Sequence, residues 1–360
     1  YSGRPLKAVS LYEGIESFVA DSSKLLFAEG CKIAHNDTGD SYSNWRYVNE
    51  VDFATLEDNK QMIEQAVQVA QQADLVILAI GENVLLSREA WGGNHVGDRT
   101  TMDLTESQQV LARRIIETGK PVITFLNNSK PVTLGKLLDK TTTLLTAHYA
   151  GQETGNAAAD VLFGQANPSG KLTLSWPRSV GNLPSHYSQY GSAKVFDYLD
   201  SPKGVVFPFG FGLSYTKFSY RNLKISSPEI RDGQTIQVTF ELTNAGQRPG
   251  TEIAQLYLSG EGFPIARPSL ELKGFARVSL QPGETRQVSL ALRAEDLYFH
   301  DSELRRVLSR GTYKVSVGGS SQSLSQTVDL RVNGGGHAAA TQTGKNTPAP
   351  SDPTVPAPLP

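Results

Sequence analysis

The chain predicts two unlike halves: an α/β domain built on a mainly parallel sheet flanked by helices, followed by an all-β sandwich. Three observations carry this expectation. From Leu6 to about Pro177, apolar runs of strand length alternate with stretches of helical periodicity. Beyond Thr216, apolar and polar residues alternate at period two and helical spacing disappears. Residues 178–215 between them carry neither pattern and are rich in Tyr, Pro, Gly and Ser, which reads as an extended connector packed on the surface.

The elements of the first half follow in order. A helix is expected over about Lys7 to Val19, then a short strand at Lys24 to Ala28. Met62, Ile63, Ala66, Val67 and Ala70 recur at helical spacing just before Leu75-Val76-Ile77-Leu78-Ala79-Ile80, an apolar run that reads as a buried parallel strand. A helix near Ser107 to Thr118 is stopped by Gly119, and Pro121 to Leu126 forms the next strand. A short helix near Gly135 to Leu138, a strand Thr143 to Tyr149 and a helix Glu153 to Phe163, ended by Gly164, complete the series. Such alternation implies right-handed βαβ units with both sheet faces covered.

In the second half, alternation is plain in Thr235 to Leu242, Ile253 to Leu258, Gln287 to Leu292 and Tyr313 to Val317. Turn signals such as Arg231-Asp232-Gly233 and Gln281-Pro282-Gly283-Glu284 separate the runs. About seven short strands fit an immunoglobulin-like or fibronectin-like sandwich. The chain therefore divides into 1–177, the connector 178–215, a sandwich 216–333 and a Pro-rich tail 334–360 that is expected to be disordered.

Composition narrows the function. The 360 residues suffice for two or three domains, and 39% hydrophobic content supports ordinary cores. With 34 basic against 36 acidic residues, a net charge of -2 and no Lys/Arg-rich cluster, neither nucleic acid nor an anionic membrane is a favoured partner. No apolar run approaches the roughly 18 residues a membrane span needs. Cys31 is the single cysteine, which rules out an intrachain disulfide framework and a multi-cysteine zinc site. The six histidines, His35, His95, His148, His186, His300 and His337, show no metal-ligand spacing, so neither a metal nor a cofactor is expected. The chain opens on Tyr1 rather than Met, so the true amino terminus is expected upstream and the lack of a targeting segment carries no weight.

The stretch that carries chemistry is Gly81-Glu82-Asn83-Val84-Leu85-Leu86-Ser87-Arg88-Glu89-Ala90, with Asp98-Arg99 behind it. It leaves the carboxyl end of the Leu75 to Ile80 strand, where α/β domains place their sites. A general acid needs a carboxyl group on a loop that can enter a cleft. Glu89 answers that description, with Trp91 able to shield it; it also answers that of a solvated loop charge. Trp91 is a stacking platform or local loop packing. Asp98-Arg99 is a sugar-hydroxyl pair or a salt bridge that fixes the loop, the latter preferred. Glu82 orients a substrate hydroxyl or accepts loop N–H bonds. Gly151-Gln152-Glu153-Thr154-Gly155 precedes a helix but lacks dinucleotide spacing, there is no Walker-type loop, and no G-x-S-x-G elbow accompanies the histidines.

Longer motifs then supply a context. Ser87-Arg88-Glu89-Ala90 with Gly81-Glu82, Asp98-Arg99 and the helix entry Leu104 to Gln108 resembles the acid/base loop of glycoside hydrolase family 3, the β-glucosidase and β-xylosidase family. Ala150 to Gly164, Asn167-Pro168-Ser169-Gly170-Lys171-Leu172-Thr173-Leu174-Ser175-Trp176-Pro177 and Phe207-Pro208-Phe209-Gly210-Phe211-Gly212-Leu213-Ser214-Tyr215-Thr216 are similar to further family motifs in the same order, and the resemblance covers about residues 5 to 332.

The resemblance implies an α/β sandwich domain, its start cut, followed by a fibronectin type III-like domain. It also implies an upstream (β/α)8 barrel, absent here, that carries the nucleophilic Asp and most glycone contacts. Glu89 would be the general acid/base, with Arg88, Trp91 and Asp98 as substrate-contact candidates and no nucleophile in this chain. The whole protein would be a retaining exo-acting β-glycosidase, β-glucosidase by the family's commonest activity, acting on β-linked oligosaccharides or aryl and alkyl glycosides. It would be periplasmic or secreted, and these 360 residues alone would hydrolyse nothing. A β-xylosidase, a non-catalytic carbohydrate-binding or adaptor fragment, and an unrelated α/β ligand-binding domain are the competing readings.

Overall fold

The structure, a computed structural model, describes residues 7–19, 25–92, 95–138, 140–141, 143–190, 198–260, 263 and 266–333. Lys24 and the Pro-rich tail lie outside them.

The first half opens with α1 (Leu11–Phe18), started by a capping box between Ser10 and Glu13. Next come α2 (Ser41–Tyr47) and α3 (Leu56–Gln72), the latter capped by Thr55 and Asp58. Strand β1 (Val76–Gly81) leads into the one-turn helix α4 (Val84–Ser87). Helix α5 (Glu106–Ile116), β2 (Val122–Asn127), a 3-10 turn Gly135–Leu137, β3 (Thr143–Thr146) and α6 (Thr154–Leu162) follow. The sheet has order β1-β2-β3, and both pairings are parallel. Ile63, Ala66, Val67 and Ala70 of α3 and Leu111, Ala112 and Ile115 of α5 form one core with Leu78, Ile80, Val122 and Leu126 of the sheet. Removing each of the Leu, Ile and Val side chains from water stabilises by about 1.5–3 kcal/mol. Alternation shows in β1, where Leu78 and Ile80 are buried and Ala79 between them is exposed.

Two expectations change. Residues 25–28 form no strand, and Leu26 and Phe27 stand exposed; an apolar run becomes a strand only against a neighbouring edge. The third strand ends at Thr146 rather than Tyr149, because His148 and Tyr149 both take positive φ, 44° and 52°, which extended backbone does not allow.

The connector does not simply run over the surface. Trp176–Pro177 (β4) pairs antiparallel with Val205–Phe207 (β5), so the chain returns to the first domain before leaving it. Trp176 is 1% exposed and donates its indole N–H to the Val132 carbonyl at 2.8 Å.

The second half holds β6 (Phe218–Ile225), β7 (Glu229–Ile230), β8 (Thr235–Asn244), β9 (Gly250–Gly260), β10 (Glu271–Leu280), β11 (Thr285–Arg293), β12 (Phe299–His300), β13 (Arg306–Val307), β14 (Gly311–Ser320) and β15 (Ser323–Val332). Sheets of order β10-β9-β14-β15-β7 and β11-β8-β6 enclose a core of alternate residues, among them Val238, Phe240, Leu242, Leu256, Leu258, Val315 and Val317.

The halves are joined by buried polar contacts. Lys171 Nζ lies 3.1 Å from Glu252 Oε1, and the Tyr220 hydroxyl donates to the same oxygen at 3.0 Å. Gln255 donates to the carbonyls of Gly210 and Gly319 at 3.1 and 2.7 Å. Gly210 has φ 79°, and a Cβ there would lie 2.0 Å from the Gln255 side-chain oxygen, so that position of the Phe207 to Thr216 motif requires glycine.

Candidate active site

Chemistry-bearing residues gather beyond the carboxyl ends of β1, β2 and β3. The end of β1 is fixed from below by Gln108 of α5, which is buried and pairs with both backbone groups of Gly81, at 2.8 and 3.0 Å. Gly81 has φ 140°, and its backbone presses so closely on Asn127 that a Cβ would lie 1.8 Å from that carbonyl oxygen. Glu82, the next residue, has a side chain with no exposure. Its carboxylate accepts from Lys130 at 3.0 Å, Arg99 at 3.2 Å and Ser129 at 3.3 Å. Two cations satisfy this buried charge, which would otherwise carry a large desolvation cost. Glu82 is thus a post that ties the loop after β1 to the loop after β2, through side chains rather than the loop N–H groups that were one of its two readings.

From this post the chain climbs through α4, capped by Asn83, whose side-chain oxygen accepts from Leu85 N at 3.0 Å. At the top of that turn Arg88 and Glu89 point to different environments. Arg88 is 5% exposed, and its guanidinium donates to the carbonyls of Val48, at short range, and Asn49, at 2.7 Å, just past the end of α2. Burial lowers its pKa from the ordinary arginine value. These two carbonyl contacts hold the cation against the end of α2. Arg88 therefore braces the loop where sequence reasoning made it a sugar contact. Glu89 is exposed.

Behind Glu89 the loop closes on itself. Asp98 N donates to the Arg88 carbonyl at 2.9 Å, and the Asp98 carboxylate accepts from Ala90 N at 3.2 Å. A Cβ on Gly97 would lie 2.3 Å from the Glu89 carbonyl carbon, so the returning strand lies directly against the peptide that carries Glu89. The expected Asp98-Arg99 salt bridge is replaced by two separate jobs. Asp98, with φ 52°, closes the loop, and Arg99 turns away to Glu82.

Trp91 is 57% exposed. Its ring meets Trp45 of α2 edge-on, with centroids 5.2 Å apart at 64°, and lies 4.6 Å from the His95 ring. His95 is 3% exposed, and among the described residues neither of its ring nitrogens has a hydrogen-bond partner. Burial and the nearby Arg88 charge lower its pKa, so the ring is neutral at neutral pH.

Several residues of this rim escaped sequence reasoning: Trp45, Ser129, Lys130 and Tyr149. The last three directly follow β2 or β3, and that position was the available signal. Tyr149 Oη lies 3.0 Å from Ser87 Oγ, and burial raises its phenol pKa. His148 faces the other way, toward Asn128 at 3.3 Å.

Comparison with known proteins places this arrangement. Residues 1–215 match the glycosyl hydrolase family 3 C-terminal domain. The chain belongs to glycoside hydrolase family 3. Residues 252–321 of this family 3 chain match the fibronectin type III-like domain. The chain is 35% identical over 331 residues to a periplasmic beta-glucosidase of Salmonella typhimurium, covering 87% of this chain and 41% of that protein. It is 36% identical over 326 residues to a beta-xylosidase of Formosa agariphila, covering 89% and 41%. Among solved structures, a β-glucosidase from Erythrobacter marinus superposes with a TM-score of 0.84 at 30% identity, over 92% of this chain and 44% of that one. A β-glucosidase from Listeria innocua in complex with glucose superposes at 0.68 with 34% identity, over 76% and 39%. The family 3 chain thus spans about two fifths of the length of these relatives.

No helix among the described residues is long and apolar enough to cross a membrane, and no described group of three or more His, Cys, Asp or Glu residues could hold a metal ion.

Proposed function

We propose that this chain is the carboxyl-terminal part of a retaining exo-acting β-glycosidase, most simply a β-glucosidase, and that Glu89 is its general acid/base. The observation that carries the reading is the exposed Glu89 carboxyl group on a loop braced at Arg88, Gly97 and Asp98, beyond the carboxyl end of β1 in a family 3 chain.

Retaining hydrolysis needs two carboxyl groups about 5–5.5 Å apart. Glu89 protonates the departing glycosidic oxygen as the bond to the anomeric carbon breaks. It then removes a proton from the water that opens the glycosyl-enzyme intermediate. The nucleophilic carboxylate is supplied by polypeptide outside these 360 residues, on the barrel that the family resemblance implies, so the chain by itself turns over nothing. Trp91, exposed and backed edge-on by Trp45, offers a face to the aglycone. Arg88 and Asp98 hold the loop that presents Glu89. The substrate is a β-linked oligosaccharide or an aryl or alkyl glycoside, and the periplasmic relative supports a periplasmic or secreted protein. A β-xylosidase activity is the second reading, supported by the Formosa agariphila relative.

Glu89→Ala in the full-length protein tests the assignment. With an alkyl β-glycoside, whose leaving group needs a proton, kcat/KM falls by on the order of 10²–10⁴. With a dinitrophenyl β-glycoside, whose leaving group departs unaided, kcat/KM changes little. An equal loss on both substrates contradicts the acid role.

A further inference from the structure

At the rim of the parallel sheet one contact joins the end of β3 to the helical turn beneath Glu89. Tyr149 Oη and Ser87 Oγ are 3.0 Å apart. The direction of the bond follows from proton counting. Ser87 has a single hydroxyl proton, and its Oγ donates to the Asn83 carbonyl at 2.9 Å within α4. Ser87 then accepts from Tyr149, and the phenol, which also has Ser129 beside it, is the donor of this bond.

Two features single out this phenol. His148 and Tyr149 hold successive left-handed φ values of 44° and 52°, a conformation that side-chain-bearing residues seldom adopt and that clusters at functional sites. This turn sends His148 to Asn128 and leaves Tyr149 at the rim, 41% exposed, with its hydroxyl on α4. A phenol is protonated through the neutral range, and partial desolvation raises its pKa further, so the hydroxyl proton is retained there. Lys130, from the end of β2, adds a parallel tie to the same turn through the Leu86 carbonyl at 3.4 Å. The turn that ends in Arg88 and Glu89 is therefore held from the ends of β2 and β3.

We infer that Tyr149 is a positioning residue for the acid/base step, its hydroxyl fixing Ser87 and through α4 the height at which Glu89 meets the glycosidic oxygen. This rests on the assignment of Glu89 as the acid/base. Proton transfer needs donor and acceptor within hydrogen-bond reach, so slackening α4 slows only reactions that need the proton.

The experiment compares Tyr149→Phe, Ser87→Ala, the double variant and Glu89→Ala in the full-length protein, with an alkyl and a dinitrophenyl β-glycoside. Tyr149→Phe keeps the ring and removes only the donor. Each single variant is expected to lower kcat/KM for the alkyl glycoside on the order of tenfold, the usual worth of one such bond, and to leave the dinitrophenyl glycoside within about twofold of wild type. The double variant is expected to lose no more than either single one, because both remove the same bond. Equal losses on both substrates, no loss on either, or losses that multiply in the double variant would overturn the inference. If Tyr149→Phe lowers the yield of folded enzyme, Ser87→Ala decides alone by the same substrate comparison. Leaving-group dependence in Glu89→Ala but not in the other variants defeats only this inference, whereas its absence from Glu89→Ala defeats the acid/base assignment itself.

Discussion

At Gly97 a single methyl group decides whether the loop can close. A Cβ there would fall 2.3 Å from the Glu89 carbonyl carbon and 2.4 Å from the Ala90 nitrogen, and backbone cannot swing aside as a flexible side chain can. Gly97→Ala is expected to lower activity at least tenfold in the full-length protein while the melting temperature moves by only a few degrees, since the loop lies outside the main core. A melting temperature reduced as strongly as by a core deletion, or unchanged activity, would contradict the closed-loop account. Glu89 stood out in the sequence as a candidate because its neighbours form a long motif. The jobs of Arg88 and Asp98 were not visible. Arg88 meets the carbonyls of Val48 and Asn49, 40 and 39 residues away, and such a contact leaves no trace in local spacing. Tyr149 was hidden for a related reason: an apolar run shows that a strand is present and cannot show where the backbone turns left-handed.

Among the elements, α3 and α5 were legible from periodicity and caps. Their alignment depends on a residue that periodicity does not mark. Asn59 sits on the apolar face of α3 at 1% exposure, accepts from Lys32 N at 2.7 Å, and donates to the Lys32 carbonyl at 3.0 Å and to Ser107 of α5 at 3.0 Å. Asn59→Ala removes the buried bond to Ser107 and the partly buried pair to Lys32 and is expected to cost about 1–3 kcal/mol, read as a lower midpoint in urea unfolding. A midpoint equal to wild type would show that the bridge is dispensable. Helix α2 went unread because Ser41 to Tyr47 is built largely from poor helix formers. It forms because Asp40 caps its start, accepting from Tyr42 N at 3.2 Å, and because Arg88 ties down the carbonyls past its end. The strand expected at Lys24 to Ala28 failed for the opposite reason, good strand composition without a neighbouring edge.

For the whole molecule, the motifs that were most recognisable in sequence turn out to be joints. Asn167 donates to Pro249 O at 2.8 Å and accepts from Tyr215 N at 2.8 Å, and Lys171 pairs with Glu252 across the same boundary. Fold and family could therefore be read from these motifs, while the rim of the site, assembled from three strand ends, could not. Stability should also respond to pH through two imidazoles, His95 buried and His148 partly desolvated. Burial lowers the pKa of both His95 and His148 below the ordinary value. The unfolded chain then takes up protons first, so the stability these residues contribute is fully present above about pH 6.5 and is lost as pH falls through their lower folded values. The melting temperature is expected to drop between pH 7 and pH 5, and to drop less in His148→Gln. An equal drop in that variant would remove His148 from the explanation.

The central claim, that Glu89 is one half of a retaining pair completed by polypeptide outside this chain, is tested most directly by azide. In the full-length protein carrying Glu89→Ala, turnover of a dinitrophenyl β-glucoside stalls at the glycosyl-enzyme intermediate, because no base activates water. Azide needs no base and fits the space the carboxyl group leaves. The account predicts that azide restores turnover and that the product is the β-glucosyl azide, with configuration retained. Turnover indifferent to azide, with glucose as the sole product, would contradict it.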